Sequence, residues 1–260
     1  MKVTILGARG SIPTEGSEML EFGGATSSVL VESEDQAIFL DAGTGIINAP
    51  DVGDRSISIL MTHPHLDHVL GLPFFPYISV KGRRIDFYSG KNGILSTYEQ
   101  LDTVYSNPLW PCKLEDYPSD IVFHDIEFPA YIGGFKVTGI PSVHPGGGSV
   151  YRLEENGKSL VYATDYEYYE DKVWELIEFA KDCDLLLFDA QYTEEELERR
   201  RGYGHSTVRQ GLDVMKKSGA KNIRFVHHDP KHTDEMLRKM EAEVKSEHIS
   251  FARKNEVIVI

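Results

Sequence analysis

Three histidines and an aspartate lie within six residues, directly after a largely apolar predicted strand, Ile57–Met61. They are His63, His65, Asp67 and His68. Neutral imidazole and carboxylate groups are good ligands for zinc, iron and manganese, and holding several of them together without a cation costs free energy. Alternation along an extended chain puts His63 and His65 on one side, with Asp67 and His68 beyond them. The spacing therefore predicts metal ligands, and a solvated histidine-rich loop is the alternative.

One short motif cannot complete two metal sites, so further ligands are expected at other strand ends. The candidates are His144, Asp165 and His227. Each of them alone is more typical of a loop residue than of a ligand, but their shared position after predicted strands favours a common site. His228 follows His227 directly, and the residues alone leave the choice between the two open. The glycine run 146–148 is predicted as a turn that lets the backbone approach the site.

Short strand-like segments separated by polar turns run along the whole chain, and helical periodicity is concentrated in its second half. The predicted strands are Val3–Leu6, Ser28–Glu32, Ala37–Leu40, Ser56–Met61, Ile121–Phe123, Phe135–Ile140, Ser149–Leu153, Ser159–Tyr162, Asp184–Phe188, Ile223–Val226, Ser250–Ala252 and Glu256–Ile260. Helices are predicted at about 172–181, 208–218 and 233–244, with Ser206 or Thr207 as the cap of the second. Two facing sheets with helices outside, in a single domain of residues 1–260, would account for this order.

The composition limits the classes of partner. The chain has 260 residues, with 41 acidic and 27 basic side chains and a net charge of −14. An acidic surface repels phosphate backbones, whereas a bound metal pair reverses the local field and admits a small anionic substrate. The two cysteines, Cys112 and Cys183, form no CxxC pair and fit a reducing compartment. Because no stretch approaches about 18 apolar residues, we expect a cytoplasmic protein without a membrane partner.

The sequence resembles the metallo-β-lactamase superfamily, specifically its phosphodiesterase and ribonuclease Z-like branch, over nearly the whole chain. The segments 7–14 and 23–27 resemble that branch's opening, and segment 40–45 resembles its first motif. The resemblance implies an α+β fold, a four-layer αβ/βα sandwich with two facing mixed sheets and outer helices. It also implies two divalent metal ions, with zinc as the leading expectation and manganese or iron as alternatives. A homodimer is a further expectation, since this branch often forms dimers.

The same resemblance divides the ligands into two sets that share one bridging residue, Asp165. The first set is His63, His65 and His144, and the second set is Asp67, His68 and His227. His227 is preferred to His228 because the family's ligand comes immediately after the strand. Asp41, in the first motif, is expected to support a ligand instead of binding metal.

A second pair, Asp189 and His205, resembles the acid and the histidine that act as a dyad in ribonuclease Z. Segment 188–192 resembles that family's His-Glu-Ala-Thr element, and segment 204–207 resembles its His-Ser-Thr element. Aspartate stands here in place of glutamate, and its side chain is one carbon shorter. The alternative is that His205 only begins a helix that Ser206 caps. With Asp67, this pair makes up the residues expected to act in catalysis.

We therefore expect a metal-dependent phosphodiesterase that acts on small diesters such as cyclic nucleotides or short dinucleotides, through a metal-activated hydroxide. His205 would protonate the leaving oxygen or stabilise the phosphoryl oxygens. Ribonuclease Z has a long arm between the motifs that match His144 and Asp165, whereas residues 145–164 suffice only for two strands and a turn. Long nucleic acid is therefore not an expected partner. The alternatives are an ester or lactone hydrolase on the same metals and a metal-stabilised binding protein without activity.

Overall fold

The computed structural model describes residues 1–90 and 95–260, and these residues form two seven-stranded sheets. The strands are β1 (Lys2–Gly7), β2 (Ser28–Glu32), β3 (Gln36–Leu40), β4 (Ser56–Met61), β5 (Arg84–Gly90), β6 (Asp120–Ile126), β7 (Ala130–Ile132), β8 (Phe135–Pro141), β9 (Ser149–Glu155), β10 (Lys158–Ala163), β11 (Leu185–Asp189), β12 (Ile223–Val226), β13 (Ile249–Phe251) and β14 (Val257–Val259). The α-helices are α1 (Leu66–Val69), α2 (Thr97–Asp102), α3 (Val173–Phe179), α4 (Glu194–Arg200), α5 (Val208–Ser218) and α6 (Asp234–Val244).

Both sheets are mixed. The first has the order β14-β1-β2-β3-β4-β5-β6 and the second the order β13-β12-β11-β10-β9-β8-β7. Strands β3 to β6 run parallel to one another, as do β10 to β13, and the other neighbours pair antiparallel. Because β14 pairs with β1, segments far apart in the sequence lie side by side at one edge of the first sheet.

Three hydrophobic clusters cover the faces of the sheets. The cluster between the sheets contains Leu40 of the first sheet and Leu153 of the second. The outer face of the first sheet packs on segments that include Leu101 of α2, and the outer face of the second packs on Leu176 of α3 and Leu237 of α6. Strands buried on both faces need continuous apolar runs, which β3 and β11 have. The predicted four-layer sandwich with outer helices is confirmed.

Helix α5 begins and ends where the sequence predicted. The Thr207 side chain accepts from the Gln210 backbone N–H, and the Gln210 side chain accepts from the Thr207 backbone N–H. Gly219 (φ 74°) ends the helix. Ser206, the other candidate cap, has a different partner: its hydroxyl donates to the Tyr166 carbonyl. This bond ties the loop before α5 to the loop after β10, and both loops carry candidate site residues.

Five elements escaped prediction, namely β5, β7, α1, α2 and α4; α1 carries Asp67 and His68, which were expected on an extended chain. Strand β5 has the alternating burial of a strand, with Arg84 and Asp86 on its more exposed side. Because these charged residues interrupt the apolar residues, the sequence shows no apolar run there. Helix α4 buries only Leu197, so it has no apolar stripe that periodicity could detect. Its capping box, formed by Thr193 and Glu196, is the signal that marks its start. Among the described residues, no helix is long and apolar enough to cross a bilayer.

Candidate metal centre

The candidate site lies where parallel strands of both sheets end. His63 follows β4 in the first sheet, and Asp165 and His227 follow β10 and β12 in the second. Asp189 is the last residue of β11, which lies between β10 and β12. Because the carboxyl ends of neighbouring parallel strands share one edge, these side chains are brought together from distant parts of the sequence.

Three of the strand ends have an uncommon backbone conformation. The φ angle is 60° at Asp41, 51° at Asp165 and 63° at His227. Left-handed values cost free energy outside glycine and persist where surrounding contacts hold them, which is common at functional sites. Hydrogen bonds to all three side chains supply such contacts here.

The candidate ligands form two adjacent groups, and within each group the donor atoms lie mutually within 4.8 Å. The first group is His63, His65 and His144, and the second group is Asp67, His68, Asp165 and His227. His65 Nδ1 lies 3.1 Å from His144 Nε2, and His227 Nε2 lies 3.1 Å from Asp67 Oδ2. Two atoms about 2.1 Å from one tetrahedral ion would lie roughly 3.4 Å apart, so these separations fit a coordination shell.

Asp165 faces both groups. Its Oδ1 lies 3.8 Å from Nε2 of His63 and 3.8 Å from Nε2 of His144. Its Oδ2 lies 3.1 Å from His68 Nε2 and 3.3 Å from His227 Nε2. One carboxylate oxygen is thus directed to each group, which is the geometry that a bridging ligand needs.

Hydrogen bonds at Nδ1 orient the rings of His68 and His144. His68 Nδ1 lies 2.8 Å from Asp41 Oδ2, and His144 Nδ1 lies 3.1 Å from the Gly204 carbonyl oxygen. Both partners are acceptors, so each ring donates from Nδ1 and keeps the lone pair of Nε2 for a cation. Asp41 also accepts from the Thr62 backbone N–H at 2.7 Å, which fixes the carboxylate that holds His68.

Gln191 connects the second group to the N-terminal loop, a role that the sequence did not predict. Its Nε2 donates to Ser11 Oγ at 2.9 Å, so its Oε1 is the atom that accepts from His227 Nδ1 at 3.0 Å. The Ser11 backbone N–H donates to Asp67 Oδ2 at 2.7 Å. One chain of hydrogen bonds therefore holds two members of the second group. The only signal in the sequence is an amide side chain two residues after Asp189.

A buried ring nitrogen indicates that the first group suits a cation. His63 is 1% exposed, and its Nε2 has no hydrogen-bond partner within residues 1–90 and 95–260. Buried polar atoms without a partner are uncommon and costly. A divalent ion contacting this lone pair would satisfy it, and the set of imidazole and carboxylate donors fits zinc, manganese or iron.

The two groups differ in charge. Burial lowers the pKa of all three imidazoles in the first group, so they are neutral donors. In the second group burial also lowers the pKa of His227, but the carboxylates of Asp165 and Asp67 outweigh it and raise the pKa to about 9. The second group therefore contains buried carboxylates that attract positive charge, which a bound cation would supply.

Asp189 and His205 form a hydrogen-bonded pair beside the second group. His205 Nδ1 lies 2.7 Å from Asp189 Oδ2, and the His205 ring stacks on His227 with centroids 4.8 Å apart. The fully buried Asp189 carboxylate also accepts from the backbone N–H groups of Asp165 (3.0 Å) and Ser206 (3.1 Å). Because Nδ1 faces the carboxylate, Nε2 is the nitrogen left for a substrate.

His228, the alternative ligand, faces away from this cluster. Its Nε2 lies 3.0 Å from the Ala252 carbonyl oxygen, and its ring stacks on Phe251 with centroids 5.6 Å apart. Burial lowers its pKa to about 3, with the charge of Arg9 contributing. The geometry therefore favours His227, and it leaves His228 without access to a substrate.

An open pocket of about 320 Å³ reaches both groups and His205. Its rim adds Ser11, Leu66, Pro145 and Tyr203. No lysine or arginine of the described chain lines this pocket. Positive charge in this pocket can therefore come from bound cations or from its histidines, and not from a lysine or arginine of the described residues.

The two-sheet sandwich and its histidine–aspartate cluster define a metal-dependent hydrolase. The family model described as "Beta-lactamase superfamily domain" matches residues 36–228, and the chain belongs to this superfamily. Hydrolases of this fold use divalent metals, and the two groups supply donors for them. The predicted membership in the metallo-β-lactamase superfamily is confirmed.

Relatives of the chain are named as hydrolases. Ribonuclease Z of Pyrococcus abyssi (strain GE5 / Orsay) is 24% identical over 282 residues, which cover 90% of this chain and 88% of the relative. The protein named "Probable metallo-hydrolase YhfI" of Bacillus subtilis (strain 168) is 21% identical over 87% of this chain and 86% of its own length. The YhfI crystal structure has a TM-score of 0.75 at 20% identity over 99% of this chain and 98% of its own. The crystal structure of a diphosphatase from the PhnP family has a TM-score of 0.71 at 21% identity, over 100% of this chain and 97% of its own.

Proposed function

We propose that this hydrolase cleaves small phosphodiesters with two divalent metal ions, zinc being the leading candidate. His63, His65 and His144 would hold one ion, Asp67, His68 and His227 the other, and Asp165 would bridge them. The observation that carries the proposal is His205, which lines the same pocket as members of both groups and is hydrogen-bonded to the buried Asp189 behind it. Protonation by such an acid speeds cleavage of a diester with a poor leaving group. The relatives named ribonuclease Z and diphosphatase favour a phosphoryl substrate over esters and lactones.

Each side chain has a distinct task in this proposal. Bound divalent ions would supply a hydroxide near neutral pH and offset negative charge on the phosphoryl oxygens. His205, carrying a proton on Nε2, donates it to the leaving oxygen. Asp189 holds the ring by its Nδ1 and stabilises the charged imidazolium. Asp67, which accepts from the Ser11 N–H, would help to hold the second ion.

The stretch between His144 and Asp165 supports small substrates over long RNA. It contains β9 and β10, an antiparallel hairpin joined at residues 156 and 157. The alignment with ribonuclease Z spans 282 residues although this chain has 260, so the relative has insertions that this chain lacks. The absence of basic side chains from the described pocket lining agrees with this, because RNA binding depends on clustered lysine and arginine.

A substrate panel on metal-reconstituted protein tests the proposal. We expect about two ions per chain by elemental analysis, and hydrolysis of 2′,3′-cyclic nucleotides or dinucleotides in preference to lactones and carboxylic esters. Precursor transfer RNA with a 3′ trailer is offered at the same metal and salt concentrations. Efficient trailer removal at one position would contradict the small-substrate assignment, and faster turnover of lactones would favour the ester hydrolase. Metal binding without any turnover would favour a binding protein.

A further inference from the structure

Tyr203 is a large aromatic side chain exposed beside the candidate metal centre. It is 63% exposed and lies on the rim of the pocket that holds His205. Its neighbours on the rim, Leu66 and Pro145, are also uncharged. The part of a substrate that projects from the metal centre therefore meets an aromatic and apolar surface instead of a charged one.

The backbone that carries Tyr203 is fixed on both sides. Glu167, which is 3% exposed, accepts from the Gly202 N–H at 2.8 Å and from the Gly204 N–H at 2.9 Å. The Gly204 carbonyl accepts from His144 Nδ1 at 3.1 Å. A Cβ on Gly204 would lie 1.9 Å from His144 Nδ1, and φ there is +92°, so only glycine fits. The loop is thus anchored to a candidate metal ligand, while the tyrosine ring itself stays exposed.

We propose that Tyr203 is a stacking surface for a flat aromatic group of the substrate, which makes it a specificity-determining residue of the phosphodiesterase proposed above. Because the loop is already fixed, little conformational entropy of the backbone is lost when a ligand stacks on the ring. Bases stack on aromatic side chains with little dependence on base identity. The substrate class that fits the metal centre and Tyr203 together is a phosphodiester that carries a nucleobase.

Two pairs of probes isolate the contribution of the base. AMP and ribose 5-phosphate carry the same phosphate, and their binding to the metal-loaded protein is measured by calorimetry without turnover. 2′,3′-cyclic AMP and the 2,3-cyclic phosphate of 1-O-methylribose undergo the same cleavage, and their kcat/KM values are compared. We expect the base-bearing member to be preferred about 5- to 150-fold in each pair, which is the range that stacking of one base supplies.

Three variants separate stacking from other effects. Tyr203→Ala should abolish the preference in both pairs, whereas Tyr203→Phe should keep it because the ring remains. Tyr131→Ala is the matched control, since Tyr131 is 71% exposed on β7 and does not line the pocket. Its preference should equal that of the wild type. Metal content and circular dichroism establish that each variant is folded and loaded.

The outcomes distinguish this inference from the proposed function. Equal binding of AMP and ribose 5-phosphate by the wild type, or a preference that survives Tyr203→Ala, overturns the stacking role. A preference lost equally in Tyr203→Phe overturns it too, because the hydroxyl would then be the contact. Hydrolysis without any base preference leaves the phosphodiesterase intact and removes the stacking role. An AMP preference that needs Tyr203, without hydrolysis of any diester, supports the stacking role and overturns the phosphodiesterase proposal.

Discussion

Replacing Gln191 by methionine should weaken the binding of the metal ion in the second group and leave the binding of the ion in the first group nearly unchanged. Methionine has nearly the same volume but neither accepts from His227 Nδ1 nor donates to Ser11 Oγ, the two bonds that Gln191 makes at 3.0 Å and 2.9 Å. The substitution therefore releases the His227 ring and leaves a buried donor without its acceptor. His63, in the other group, has Thr62 Oγ1 at its Nδ1 as its partner.

The size of the effect follows from the lost bonds. Leaving one buried donor unsatisfied costs about 1–3 kcal/mol. Loss of a partner that orients a ligating histidine lowers metal affinity about 10- to 100-fold, which equals about 1.4–2.7 kcal/mol. The two figures agree, so we expect the dissociation constant of the second-group ion to rise by that factor and that of the first-group ion to change less than about threefold.

Competition with a chromophoric chelator, titrated with zinc, measures the two dissociation constants. Gln191→Glu is the matched control, because its carboxylate still accepts from His227 Nδ1 and from the Ser11 hydroxyl. It should keep the affinity that the methionine variant loses. Equal weakening of both ions, or unchanged affinity in Gln191→Met, would refute the reasoning that His227 depends on this amide.

Three further predictions follow from single contacts. His205→Ala should lower kcat by about 10²- to 10⁴-fold at normal metal content, less for p-nitrophenyl than for alkyl leaving groups; equal losses would point to charge stabilisation instead. Asp165→Ala should deplete both ions in elemental analysis, and His144→Ala mainly one; depletion of one ion by both variants would count against the bridge. Burial raises the pKa of the Glu241 carboxyl, but the hydrogen bond and charge of Arg253 outweigh it. The pKa falls to about 2, below its unfolded value near 4.3. Glu241→Gln should therefore cost about 1–3 kcal/mol of unfolding free energy at pH 7, a difference that shrinks as pH falls from about 4.5 towards 2; a constant difference in urea titrations would contradict it.

The strand-end residues were predictable because their chemistry is local. His63 and its neighbours sit in one short motif, and His144, Asp165 and His227 each follow a predicted strand that the structure contains. Strand β10 is buried along nearly its whole length and is mostly apolar, which makes its end easy to find, whereas β8 includes exposed and half-buried residues. The pairing of strands then brings the ends together, which the sequence indicated through their shared position after predicted strands and through the resemblance to a family.

The supporting residues were harder to predict because their partners are distant in the chain. Gln191 contacts Ser11 across 180 positions, and Glu167 holds the Tyr203 loop across 35 to 37 positions. An amide or a carboxylate in an ordinary segment gives no periodic signal. Tyr203 stands between two glycines, which a sequence alone presents as a flexible turn, whereas three hydrogen bonds to Glu167 fix it.

The shorter acid of the dyad is explained by its place in the sheet. Aspartate at position 189 reaches His205 Nδ1 at 2.7 Å, and the same Oδ2 accepts from the Asp165 backbone N–H at 3.0 Å. This is feasible because Asp189 ends β11, whose neighbours β10 and β12 end next to Asp165 and His227. A glutamate with the same backbone would carry its carboxylate about one bond length further and could not hold both donors in this geometry. The aspartate thus links the proposed proton donor to the proposed bridge, so a shift of either strand end would move both parts of the site together.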